Sequence, residues 1–193
     1  MELLKLISWK TTYCWLLIIL ITGCSPDEDS QNPLPTKPAK SWKDGVGSAV
    51  AENVRLEFET INFKSASELH FYDASIKDQV VKGTFEVHNF DINGKPISDA
   101  KGDVICIVFE EDCKTVRMTG IITAGSDPVF VGFYAIWTAV DNGVGNDKTT
   151  DIRYPVDQVN ANNHCETGWD LMKFGFKSYL STPGTVKVES KDC

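Results

Sequence analysis

The sequence predicts an all-β protein, an antiparallel β-sandwich or β-barrel of about eight strands, with at most a short helical turn near 166–180. Three observations predict it. Apolar and polar residues alternate through most of the chain after residue 50, the period of a strand with one buried face. β-branched and aromatic residues dominate the apolar runs. Turn-forming groups such as Asn93-Gly94 and Asp141-Asn142-Gly143 separate those runs.

Taken in order, Val54, Leu56 and Phe58 alternate with Arg55, Glu57 and Glu59. The run from Glu68 to Asp73 reads as a strand through Leu69 and Phe71. Val81, Phe85, Val87 and Phe90 make the next, and Asn93-Gly94 follows as a tight turn of type I′, whose two central residues need positive φ. Val104, Cys106 and Val108 alternate with Ile105, Ile107 and Phe109, so this strand is expected to be buried on both faces. Glu110-Glu111-Asp112 turns the chain, and Val116, Met118, Gly120 and Ile122 return it. The run 129–140 reads as a central strand with Trp137 in the core. Ile152, Tyr154 and Val156 form the strand after the acidic loop, and Val186 and Val188 form the last. The stretch 166–180 is the least strand-like, and the helical turn is expected there.

The amino terminus has a different character. Lys5 and Lys10 precede an apolar run, Tyr13 to Thr22, which ends in Ile21-Thr22-Gly23-Cys24. Spanning a bilayer needs about 20 apolar residues, and Ser25-Pro26-Asp27-Glu28-Asp29 ends the run too early. These residues resemble the signal peptide and lipobox of bacterial lipoproteins. The resemblance implies that 1–23 is removed and that Cys24 is lipidated, with the membrane as partner through the anchor. Serine rather than aspartate after the cysteine implies the outer membrane, and the acidic run 27–29 resembles surface-export signals, leaving periplasmic and surface-facing orientations open. Residues 24–44 are rich in Pro, Ser and acids, a composition that forms a tether rather than a core. At about 3.1 Å per residue it reaches up to roughly 60 Å. Residues 45–193 are long enough for one all-β domain.

The chain carries a formal charge of −8. Removing 1–23 takes away Lys5, Lys10 and Glu2 and leaves 17 basic and 26 acidic residues. That balance excludes nucleic acid as a partner and electrostatic adhesion to anionic lipid. The segments KGTFEVHN, GDVICIVFEEDCKTVRMTGIIT and VDNGVGNDKTTDIRYPV, with a weaker echo in PGTVKV, resemble a family of secreted bacterial all-β domains. Its members share a G-x-V-x-C-I, G-x-I-T and V-D-N-G-x-G pattern, matched here over about residues 50–157. The family has no established activity, so the resemblance implies a fold and no catalytic residues.

Four cysteines fall in the domain, Cys106, Cys113, Cys165 and Cys193, and an exported domain forms disulfides. With a turn centred on Glu111, Cys113 sits opposite Phe109 and Cys106 opposite Val116, an offset of about 10 Å. That exceeds the limit of about 7 Å between bridged Cα atoms. Two connectivities stay open: Cys106–Cys165 with Cys113–Cys193, or Cys106–Cys193 with Cys113–Cys165. The first is preferred because Cys106 and Cys165 match the cysteines of the family that the domain resembles.

Catalytic motifs are absent: there is no G-x-S-x-G, no H-E-x-x-H and no C-x-x-C, and Gly143-Val144-Gly145 lacks the lysine of a phosphate loop. His70 and His88 are expected to be exposed or hydrogen-bonded strand residues. Trp169, Phe174, Phe176 and Tyr179 form a candidate ligand platform, with capping of one end of the barrel as the alternative. Asp141, Asn142, Asn146, Asp147 and Asp151 offer oxygen donors for calcium, the one cofactor considered. The EF-hand spacing fails, since Ile152 falls where a bidentate Glu is needed, and a β-roll nonapeptide requires tandem copies. The preferred reading is a loop whose Asp and Asn side chains bond the local backbone. The functional expectation is a lipid-anchored, non-enzymatic binding or structural module with an extracellular glycan or protein ligand. The alternative is an envelope enzyme acting on glycan or peptide through carboxylates. Mass spectrometry of the membrane-extracted protein is expected to show a chain beginning at a lipid-modified Cys24. An unmodified Cys24, or recovery in the soluble fraction, contradicts lipidation.

Overall fold

The computed structural model describes residues 46–62, 65–166, 178–180 and 185–191. Ten strand segments form one antiparallel sheet that curls into a nearly closed barrel. They are β1 (Gly47–Asn62), β2 (Ser65–Lys77), β3 (Val80–Phe90), β4 (Pro96–Phe109), β5 (Thr115–Gly125), β6 (Tyr134–Val140), β7 (Lys148–Thr150), β8 (Arg153–Val156), β9 (Ser178–Leu180) and β10 (Thr185–Ser190). The sheet order is β10-β1-β2-β3-β4-β5-β6-β7-β9, with β8 also paired to β6. A single helix, α1 (Gln158–Glu166), follows β8 among the described residues.

Trp137 is fully buried at the centre of the barrel and packs on Phe85 and Tyr72, with ring centroids 5.2 and 5.8 Å away. Phe85 needs room to lie there. A Cβ on Gly120 would fall 2.4 Å from its ring, so glycine at that position makes the space. Both faces of β4 are buried, as the sequence predicts. A bulge between Val104 and Cys106 shifts the phase, so Val104, Ile107 and Phe109 face the interior while Cys106 and Val108 face α1.

The helix occupies Gln158–Glu166, at the start of the 166–180 window where a helical turn is expected; residues 167–177 of that window lie outside the described residues. Asp157 receives the Asn160 N–H at 2.9 Å and so starts it. Ala161, His164 and Cys165, at helical spacing, are its buried residues. Three ties hold it against the sheet. Cys106 and Cys165 form a disulfide with a Cα separation of 6.4 Å. The buried His164 Nε2–H donates to the Trp137 carbonyl at 3.0 Å, and the Arg117 guanidinium, paired with Glu110 at 2.5 Å, donates to the His164 carbonyl. Cys113 is also disulfide-bonded.

Several local expectations are corrected. The 129–140 run is not one strand. Asp127 caps a 3-10 turn, Pro128–Phe130, by accepting from Val129 N at 3.1 Å, and Gly132 at φ +90° reverses the chain before β6 begins at Tyr134. The β3–β4 turn sits at Asn93-Gly94, but Gly94 alone has positive φ, so it is not type I′. Asp91 shapes it by accepting from the N–H groups of Asn93 and Lys95. In the β4–β5 turn Asp112 accepts from Lys114 and Thr115 in the same way, and Cys106 lies opposite Thr119 rather than Val116. The strand expected through Ile152, Tyr154 and Val156 is β8, which begins at Arg153; Ile152 falls in the break at Asp151-Ile152 that separates it from β7.

The acidic loop 141–147 closes the barrel seam. Strand β10 is paired to β1 along one edge, which leaves N–H groups on its other edge. The Asp147 carboxylate accepts from Val186 N at 2.9 Å and from Asn142 N at 2.9 Å. Asp141 accepts from Val188 N at 3.1 Å and from Gly143 N at 3.0 Å. Each side chain therefore bonds its own loop and the edge strand together. Asp147 is 1% exposed, and its replacement by Ala strands the N–H of the buried Val186 at a cost of about 1–3 kcal/mol. Chemical denaturation of Asp147→Ala is expected to report that loss, with Val186 N–H exchanging faster than its neighbours in β10.

Candidate functional site: a cleft around Glu68

Strand β2 carries the least expected feature of the fold. Tyr72, Ala74 and Ile76 face the barrel interior, and the two-residue period of a strand puts Glu68 and His70 inside with them. Leu69 and Phe71, expected to mark the apolar face, are half-buried on the other side, where Phe71 meets the His88 ring edge-on at 6.0 Å. His88 pairs with Glu86 at 2.8 Å and is partly exposed.

Glu68 is 5% exposed and His70 fully buried. Glu68 Oε2 receives two hydrogen bonds, from His70 Nε2 at 2.8 Å and from Ile152 N at 3.2 Å. The second fills the break between β7 and β8. We assign the ring proton to Nε2, because His70 Nδ1 is buried without a partner and is better left as the bare nitrogen. Glu68 Oε1 has no hydrogen-bond partner among the described residues. It is not among the sealed polar atoms, and the residue lines a cleft. Burial pushes the Glu68 carboxyl above its ordinary value, and the nearby Asp151 adds to this, while the bonds from His70 and Ile152 oppose it. A proton on this carboxyl therefore belongs on Oε1, where it faces the cleft.

The cleft has a volume of about 490 Å³. Ser65, Glu68 and Asn89 come from β2 and β3, Ile97 and Ser98 from β4, Phe130 from the 3-10 turn, and residues 151–155 from the β7–β8 segment. Much of the polar wall is locked to itself. Ser65 Oγ donates to Asn89 Oδ1 at 3.2 Å, and Asn89 Nδ2 donates to the Tyr154 hydroxyl at 2.9 Å. Phe130 stands edge-on to Tyr154 at 5.9 Å. Burial raises the Tyr154 phenol, so it stays neutral. Asp151 is 7% exposed, and its Oδ2 pairs with Arg153 Nη2 at 3.3 Å. Ile97, which lines the cleft, is exposed; so are Val129 and Val131, the chain neighbours of Phe130.

The sequence-predicted sites fall as follows. Asp141, Asn142, Asn146 and Asp147 are together in one loop, with both carboxylates engaged by backbone N–H groups. Asp151 lies apart from them, in the cleft. Among the described residues no group of three or more His, Cys, Asp and Glu is arranged to hold a metal ion. Trp169, Phe174, Phe176, Cys24 and Cys193 lie outside the described residues, and Tyr179 is described only as the backbone partner of Thr149 in β9. Glu68 was missed as a site residue. The signal was available in the parity of Tyr72, Ala74 and Ile76, which places an acid inside the barrel. Among the described residues no helix is long and apolar enough to cross a membrane. No protein-family model matches the chain, and neither a curated protein nor a solved structure is significantly similar to it.

A buried acid held above its unfolded value of 4.5 binds its proton more tightly in the folded state. Its stabilising contribution is complete below pH 4.5 and falls as pH rises through the folded pKa. Glu68→Gln, which keeps the acceptor for His70 and Ile152, is expected to be more stable than the parent at pH 7, with the advantage vanishing in acid. Thermal melts of both proteins across pH check this; parallel curves contradict a raised carboxyl.

Proposed function

We propose that this protein is a lipid-anchored β-barrel of the bacterial cell envelope that binds a small ligand in the Glu68 cleft without transforming it. The observation that carries the reading is Glu68 itself: a nearly buried carboxyl with one oxygen unpartnered and facing a cleft of about 490 Å³. Pockets of this size with a few converging polar groups and a perturbed acid are where small ligands bind. The anchor at Cys24, the outer-membrane position and the tether 24–44 rest on the amino-terminal residues. Kinship with the secreted all-β family rests on the V-D-N-G-V-G pattern and its companions. Cys193 is the natural partner for Cys113, which would fasten the C-terminus to the β4–β5 turn.

The same two acids support a second reading. A Glu68 carboxyl raised above its ordinary value beside Asp151 is the kind of pairing that a glycoside-cleaving enzyme uses as acid and second carboxylate. Incubating the detergent-solubilised full chain with a glycan array and with chromogenic glycosides separates the readings. Binding without product release is expected, with Ser98→Trp, which fills the cleft mouth, abolishing it. Turnover lost in both Glu68→Gln and Asp151→Asn would establish the enzyme instead.

A further inference from the structure

The oxygens that the Glu68 cleft leaves unused point to a class of ligand, and this deepens the binding reading on which it rests. Two acids line the cavity, Glu68 and Asp151, both more than nine-tenths buried. Each engages the protein through one oxygen. Glu68 Oε2 accepts from His70 Nε2 and Ile152 N, and Asp151 Oδ2 accepts from Arg153 Nη2. The other oxygen of each, Glu68 Oε1 and Asp151 Oδ1, has no hydrogen-bond partner among the described residues and is not sealed from solvent. They belong to adjacent parts of the wall, because Glu68 bonds the N–H of Ile152, the residue after Asp151, and the Asp151 charge acts on Glu68. The other polar side chains are turned on one another: Ser65 bonds Asn89, Asn89 bonds Tyr154, and Tyr154 bonds Ser98. The groups left for a ligand are therefore chiefly acceptors.

Charge narrows the class further. With both acids ionised, two carboxylates face one guanidinium, that of Arg153, and His70 with a bare Nδ1 adds no charge. One negative charge is left over where water is scarce, and a neutral donor such as a hydroxyl does not answer it. Two carboxylates also fall short of the roughly six to eight oxygens that calcium takes, and no group of three or more ligating side chains is arranged for a metal among the described residues. A compact organic cation fits better. A primary ammonium has three N–H donors and no acceptor, and their tetrahedral spread lets two of them reach two oxygens on one wall. Ile97, Phe130, Ile152 and Pro155 offer apolar surface for the carbon skeleton that carries it. We infer that the cleft recognises a primary ammonium group on a small, partly apolar ligand, with Glu68 Oε1 and Asp151 Oδ1 accepting from it. Amino sugars with a free amine and amino-acid derivatives share this chemistry.

Calorimetry on the detergent-solubilised full chain tests this with two amines, glucosamine and leucinamide, each against its N-acetylated counterpart. Salt at about 0.15 M screens the general attraction of an acidic chain for cations. Near pH 7, where amino groups of this kind are mostly charged, at least one amine is expected to bind about tenfold tighter than its acetylated form, the worth of a charge-assisted hydrogen bond. Which amine binds tells the sugar from the amino-acid source. Glu68→Gln and Asp151→Asn keep the shape of the wall and remove one charge each. Each should weaken the amine about tenfold and leave the acetylated probe unchanged. Binding should also weaken as acid protonates Glu68, and Glu68→Gln should diminish that dependence. The charged and titratable neighbours of Glu68 are His70 on its own strand and Asp151, Arg153 and Tyr154 across the cleft, with Asp99 of β4 acting on Tyr154. Equal affinity for amine and acetylated probes, or a preference for the acetylated ones, overturns the ammonium assignment and leaves a binding module. Silence from all four probes overturns it too, and silence from the glycan array as well overturns both readings. If a variant fails to fold, the amine-against-acetyl comparison on the unaltered chain decides alone.

Discussion

Every buried backbone N–H must find an acceptor, and in this barrel the ladder does not supply enough of them. The sheet runs out at the edge of β10 and breaks between β7 and β8. In both places a carboxylate from elsewhere in the chain takes the stranded donor: Asp141 and Asp147 reach β10 across 47 and 39 residues, and Glu68 reaches Ile152 across 84. Asp91, Asp112 and Asp127 do the same within turns. An acidic composition here is partly a structural necessity, because these side chains accept backbone hydrogen bonds wherever strand pairing ends.

Two kinds of acid result from one device. At the seam, each carboxylate uses both oxygens on backbone donors and clasps the loop to the edge strand. At the β7–β8 break, Glu68 satisfies its two donors with a single oxygen. The surplus oxygen meets an open cleft rather than protein. Burial favours the neutral acid there, since ionisation would place a charge where water is scarce. A structural repair thereby leaves a group capable of recognition, with Asp151 beside it and an aromatic wall from Phe130 and Tyr154.

Much of the architecture was legible from residue patterns. The all-β class, the burial of Trp137 and the two-sided burial of β4 follow from alternation and from β-branched content. Helix α1 was not legible, because QVNANNHCE is mostly polar and buries three residues. The 3-10 turn was hidden by the apolar run around it, although Asp127-Pro128 and Gly132 were its local signals. The site was concealed by the phase of β2. Hydrophobicity singled out Leu69 and Phe71, whereas register, carried back from Tyr72, Ala74 and Ile76, obliges Glu68 and His70 to face inward. The long-range reach of Asp141 and Asp147 depends on barrel closure, which no local pattern encodes.

The account turns on the Glu68 carboxyl holding its proton above the ordinary carboxylate range in the folded protein, and carbon-detected NMR can observe that group directly. A pH titration following the Glu68 side-chain carboxyl carbon, assigned by its loss in Glu68→Gln, should give a midpoint above 4.5, with the Ile152 amide shift moving at the same pH. A midpoint at or below 4.5, or an Ile152 amide indifferent to it, would contradict the account.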